Sequence, residues 1–262
     1  MAEDNKDITQ GYVRSSVRNH IATIEFYHPK GNSLPGKLLE DLAIAVQSAG
    51  NSAEAKVVVL RSIEHDVFCS GTLLEELIPM KTPEEGFKFF SGFARVINAM
   101  RKCPKFIVVA VHGKCVGGGV GLVAAADYAI ALEGADVRLS ELCIGFGPFT
   151  IGPAIQRKMG LSAFSQLAID AHLWRSADWA RRKGLYAELH PNKRSMEDSI
   201  TRLSTSLSQV DPKVTEEMKK SLWVGTENWD TLLEEKARIS SKLVVMDQAR
   251  EYLEKMKKSV VF

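Results

Sequence analysis

The chain has no two cysteines close enough in sequence to act together. Cys69, Cys103, Cys115 and Cys143 are its whole complement, and none belongs to a CxxC unit. That spacing excludes a zinc ribbon and a small disulfide-stapled scaffold, and a reduced cytoplasmic setting is expected. No His/Cys/Asp cluster has metal-ligand spacing, so neither a metal nor a cofactor is expected. Long apolar runs are missing too: nothing approaches the ~18 residues that a membrane span needs. The opening MAEDNKDITQG is polar and acidic, unlike a secretory signal. Charge of one sign is also lacking, since 34 Lys and Arg against 32 Asp and Glu leave +2. Such a balance does not support nucleic-acid binding, which leaves a basic stripe.

What is present is an ordinary soluble composition on a chain of 262 residues, 45% of them hydrophobic. That length buries a full core without staples and suggests one main body with an appendage. YVRSSVR (12–18) and HIATIEFY (20–27) alternate as a hairpin around Asn19. Pro35 is placed to open a helix carrying LLEDLAIAV, and KVVVLRS (56–62) reads as a buried strand. Thr82 and Pro83 open an amphipathic helix over 82–103, followed by strands at 105–111 and 128–132. Strands alternating with helices predict an α/β fold with parallel pairing. From about residue 151 helical patterns take over. The expected division is a core over 1–195 and a helical segment over 196–262, whose apolar faces need a partner surface.

Of 19 glycines, four fall between Gly117 and Gly121, where a β-rich run (KFIVVAVHG) meets a helix of small residues. Position 122 is Leu, so the dinucleotide spacing G-x-G-x-x-G fails, and the phosphate-loop pattern fails with it. FCSGTLLEEL (68–77) repeats the same logic of strand, glycine and short helix. Two such turns can aim backbone N–H groups at one point, as an oxyanion requires.

At these residues the sequence resembles the enoyl-CoA hydratase/isomerase (crotonase) superfamily. Its F-C-A-G-A-D-L segment is matched by Phe68-Cys69-Ser70-Gly71-Thr72-Leu73-Leu74. Its A-V-x-G-x-x-x-G-G-G is matched by Ala110 to Gly119, with Asp127 closing the small-residue helix. The early turn matches at His28, Pro29, Lys30 and Asn32, and a closing E-K-x-K-x-x-F at Glu254, Lys255, Lys257 and the terminal Phe262.

The resemblance implies a spiral ββα core with a C-terminal helical segment that builds homotrimers or hexamers. It implies an acyl-CoA or enoyl-CoA thioester as substrate. By position, the N–H groups of Thr72 and Gly118 would form the oxyanion hole. Lys30, Ser70, Lys257 and Lys258 would meet the coenzyme, with Lys255 near them.

Two departures bear on the reaction. Family hydratases use two carboxylates; the first would fall at Gly121, and the second matches Glu141. The next turn reads Pro148-Phe149-Thr150-Ile151-Gly152, where a bulky Phe149 would exclude water. Glu141 lies among Leu139, Leu142, Ile144 and Phe146, which should raise its pKa toward that of a proton shuttle. A single carboxylate suits enoyl-CoA isomerisation. Hydration or dehydration, decarboxylation and a non-catalytic CoA-binding role remain alternatives. Glu75 and Glu76 are expected on a solvated face, His112 as packing, and Asp127 in a structural hydrogen bond. The four tryptophans are expected at core or subunit contacts.

Overall fold

The computed structural model describes residues 10–63 and 66–259, with side chains through Lys255. The first two strands, β1 (Tyr12–Arg18) and β2 (Ile21–Tyr27), pair antiparallel. Asn19 and His20 turn between them with φ of 50° and 64°, the twist that tight hairpin turns demand. Beyond β2 every pairing in the large sheet is parallel, through β3 (Val57–Ser62), β5 (Ile107–Val111), β7 (Tyr128–Leu132) and β9 (Glu188–His190). The order is β1-β2-β3-β5-β7-β9.

The central strands β3, β5 and β7 are covered on both faces, which is why they are near-continuous apolar runs, whereas β2 alternates and β1 is largely exposed. Val58, Leu60, Ile107 and Val109 join the main core with α1 (Gly36–Asn51) and α3 (Pro83–Lys102). Val57, Val59, Val108 and Ile130 face the other way, against Met196 and Ile200 of α7 (Lys193–Ser208).

A second, three-stranded sheet runs beside the first. Its strands β4 (Val67–Cys69), β6 (Lys114–Val116) and β8 (Val137–Arg138) are parallel and very short. Each follows a strand of the large sheet and precedes a helical turn: α2 (Leu74–Leu77), α4 (Gly118–Ala125) and a 3-10 turn at Glu141–Ile144. This is a ββα unit repeated three times.

The expected helix at 82–103 is present as α3. Thr82 Oγ1 accepts from Glu85 N at 3.3 Å while Glu85 Oε2 accepts from Thr82 N at 3.1 Å, a reciprocal cap. The later helices are α5 (Gly152–Ile169), α6 (Ala177–Arg182), α8 (Pro212–Leu222), α9 (Trp229–Val244) and α10 (Asp247–Ser259). Of these, α9 and α10 find an apolar partner in the same chain, through Leu233, Ala237, Val244 and Leu253. A Cβ on Gly86 of α3 would lie 3.0 Å from Ser241 Cα of α9, and one on Gly145 would lie 2.6 Å from Ala249 Cα of α10. Trp223 and Trp229 pack edge to face at 5.8 Å in the core, whereas Trp174 lies under the Arg138 guanidinium at 4.8 Å. No helix among the described residues is long and apolar enough to cross a membrane.

Candidate active site

The first glycine turn leaves β4 at Ser70-Gly71-Thr72. Asn32, fully buried, anchors its surroundings: Oδ1 accepts from His28 N at 3.1 Å, and Nδ2 donates to Ile63 O at 2.8 Å and Val67 O at 3.1 Å. Leu34 N donates to Gly71 O at 2.7 Å, which ties the turn to the loop that carries Asn32. Gly71 has φ of +81°, and a Cβ there would lie 2.8 Å from Val116 O and 3.2 Å from Gly118 N. The two glycine turns therefore touch, and no larger residue fits where they do.

The second turn leaves β6 at Gly117 and enters α4, every residue of which is buried. The first N–H groups of a helix lack intrahelical partners. Among the described residues neither Gly118 N–H nor Thr72 N–H donates a hydrogen bond within the protein.

Glu141 opens the 3-10 turn and is 8% exposed. Its carboxyl lies against Gly117, whose φ is +50° and whose Cβ would sit 2.7 Å from Oε1. Oε2 makes no hydrogen bond among the described residues. Burial away from water drives the Glu141 pKa from 4.5 up to about 7, while its own backbone N–H and the Arg138 charge pull it down less.

One small cleft of about 20 Å³ gathers Thr72, Gly118 and Glu141 under Phe90, Phe93 and Phe149. Among the described residues Glu141 is the single ionisable side chain lining it. At Gly121, where the first carboxylate of the family's hydratases would fall, a Cβ would lie 2.6 Å from Ile151 Cγ2. Ile151, 5% exposed, fills that place. Phe149 folds back on Gly147, within 2.8 Å of where a Cβ would be, and lines the cleft. A larger hollow of about 410 Å³ lies among α1, α3 and α9, away from the buried carboxyl.

The other candidate residues are distributed as follows. Lys30 Nζ is ion-paired with Glu75 Oε1, and both side chains are exposed. Ser70 Oγ donates to Gly31 O at 2.9 Å, so the hydroxyl joins two loops. The side chains of Lys257 and Lys258 lie outside the described residues, although both fall on α10. Glu76, expected to be solvated, instead accepts from Gly36 N at 2.7 Å and caps α1. His112 packs edge-on to Phe68 at 6.2 Å. Asp127 accepts from Ile107 N at 2.7 Å and Trp223 Nε1 at 2.9 Å, and pairs with Lys219 at 2.9 Å.

Sequence reasoning gave no role to Thr150, which also lines the cleft. Its position two residues after Pro148 in the turn that departs from the family was the available signal. Nothing in the sequence pointed to Ile151 as the residue behind Gly121.

With this geometry in hand, comparison with known proteins is informative. The Delta(3,5)-Delta(2,4)-dienoyl-CoA isomerase of Pongo abelii is 25% identical over 223 residues, 79% of this chain and 67% of that protein. The methylglutaconyl-CoA hydratase of Homo sapiens is 29% identical over 143 residues, 54% of this chain and 42% of that protein. Other curated relatives are matched over about half their length, including a Bacillus subtilis protein described as a probable enoyl-CoA hydratase (51%). The crystal structure of enoyl-CoA hydratase from Bacillus halodurans superposes with a TM-score of 0.86 at 22% identity, covering 93% of this chain and 99% of that one. That likeness establishes the crotonase fold. A family model described as Enoyl-CoA hydratase/isomerase matches residues 16–259. The chain belongs to the enoyl-CoA hydratase/isomerase family.

Proposed function

We propose that the protein moves a double bond within an enoyl-CoA thioester, as an enoyl-CoA isomerase. The observation that carries this reading is one buried carboxyl, Glu141, lining the same cleft as two N–H groups that are unengaged among the described residues, with no second carboxylate from those residues lining it.

The thioester oxygen would accept from Thr72 N–H and Gly118 N–H. The dipole of α4 adds to both as negative charge gathers there. Glu141, as carboxylate, takes a proton from C2 of a 3-enoyl thioester; the electron pair passes into the dienolate. The same carboxyl, now protonated, returns the proton at C4, and the double bond ends between C2 and C3. A pKa of about 7 suits a group that must hold and release a proton in one turnover. Hydration by the two-carboxylate route lacks its first acid, since Ile151 fills the space beside Gly121.

The coenzyme reading assigns its phosphates to Lys30, Lys255, Lys257 and Lys258, and its entry to the Ser70 loop. Lys30 would exchange Glu75 for phosphate, a swap that costs little between exposed groups. Assembly into homotrimers is supported by an exposed stripe on α8, Val214, Met218 and Leu222, continued by Val224.

The experiment is Glu141→Gln assayed with 3-enoyl-CoA. Isomerisation should fall by about 10²–10⁴-fold, the usual weight of a positioned acid–base group. Unchanged isomerisation removes Glu141 from the reaction.

A further inference from the structure

A second buried oxygen, on a residue that lines the cleft, has no part in this proton transfer. Thr150 is 3% exposed, it lines the wall with Glu141, Thr72 and Gly118, and its Oγ1 makes no hydrogen bond among the described residues. A buried hydroxyl without a partner is destabilising, and valine fills the same volume without that loss. A wall serving hydrocarbon alone has no use for threonine here.

The rest of the lining narrows what could satisfy it. Ser240, 1% exposed, brings another hydroxyl-bearing residue from α9. Among the described residues no Lys, Arg or His lines the cleft, so none of them there balances an anionic end group. The space of about 20 Å³ is on the scale of a single water-sized group.

Resting on the reading that this cleft takes a CoA thioester, we propose that Thr150 determines specificity. Its hydroxyl pairs with an oxygen on the acyl chain. The site thus favours a short, uncharged oxo- or hydroxyacyl thioester over the matching hydrocarbon. A site built to hydrogen-bond a substrate oxygen discriminates far more strongly than one that only measures chain length.

The test measures affinity by calorimetry for butanoyl-CoA, 3-oxobutanoyl-CoA and 4-hydroxybutanoyl-CoA. The proteins are the unaltered chain, Thr150→Val and Thr150→Ser. The unaltered chain should bind one oxygen-bearing ester roughly 10-fold tighter than butanoyl-CoA, the scale of one hydrogen bond. Thr150→Val should erase that preference while keeping butanoyl-CoA affinity, and Thr150→Ser should retain it. A preference that survives Thr150→Val, or a loss spread equally over all three esters, overturns the assignment of Thr150. Failure of all three esters to bind the unaltered chain overturns the thioester reading itself, and this proposal with it.

Discussion

The Glu141 carboxyl rests against a position that only glycine can occupy: a Cβ on Gly117 would lie 2.7 Å from Glu141 Oε1, at a φ of +50°. The glycine that opens α4 and the carboxyl proposed to move the proton are thus held by one contact. Gly117→Ala should push the carboxyl aside. A displacement of about 1 Å at a reacting group costs on the order of 100-fold in rate, and the strained backbone costs about 1–3 kcal/mol. Steady-state kinetics with thermal unfolding should show both losses together.

Stability should depend on pH through Glu141. Its folded pKa, about 7, lies above the unfolded value of 4.5, so the folded state prefers the protonated form. The contribution is full below pH 4.5 and lost as pH rises through 7. At 1.36 kcal/mol per unit the span is about 3 kcal/mol. Glu141→Gln should therefore gain stability relative to the unaltered chain between pH 5 and 9, measured by urea unfolding at each pH. A constant difference across that range contradicts the burial argument.

Gly121 and Ile151 should be energetically coupled. Gly121→Ala places a methyl 2.6 Å from Ile151 Cγ2, overpacking worth about 1–3 kcal/mol. In an Ile151→Ala background the penalty should shrink by more than the ~0.5 kcal/mol within which independent sites add. A double-mutant cycle in urea reads this directly.

Asp127 and Lys219 should matter to folding and not to chemistry. Both side chains are buried, at 6% and 3% exposure, and paired at 2.9 Å. Lys219→Met leaves the carboxylate with its Ile107 and Trp223 donors but without the cation paired to it. Removing one partner of such a pair costs about 3–5 kcal/mol. Turnover per folded molecule should stay unchanged.

The parts legible in the sequence were those whose signal is local. Asn19 between two alternating runs marks the hairpin, and Thr82-Pro83 with Glu85 marks the start of α3. The three-stranded sheet escaped because β4, β6 and β8 span only two or three residues each, too few for any period to appear. Glu141 was found through its match to the family's second carboxylate, and its raised pKa could be expected because its apolar neighbours are adjacent in sequence. Ile151 behind Gly121, Glu76 capping α1 and Lys219 beside Asp127 are contacts across 30, 40 and 92 positions, and only the folded chain brings them together.

The central claim is that Thr72 N–H and Gly118 N–H stabilise a thioester enolate formed by Glu141. Exchange of the C2 hydrogens of butanoyl-CoA with deuterated water tests it without reference to the natural acyl group, using proton resonance or mass detection. The account predicts steady C2 exchange by the unaltered protein and a fall of about 10²–10⁴-fold in Glu141→Gln. Bound butanoyl-CoA that keeps its C2 hydrogens, or exchange that proceeds equally well in Glu141→Gln, would contradict it.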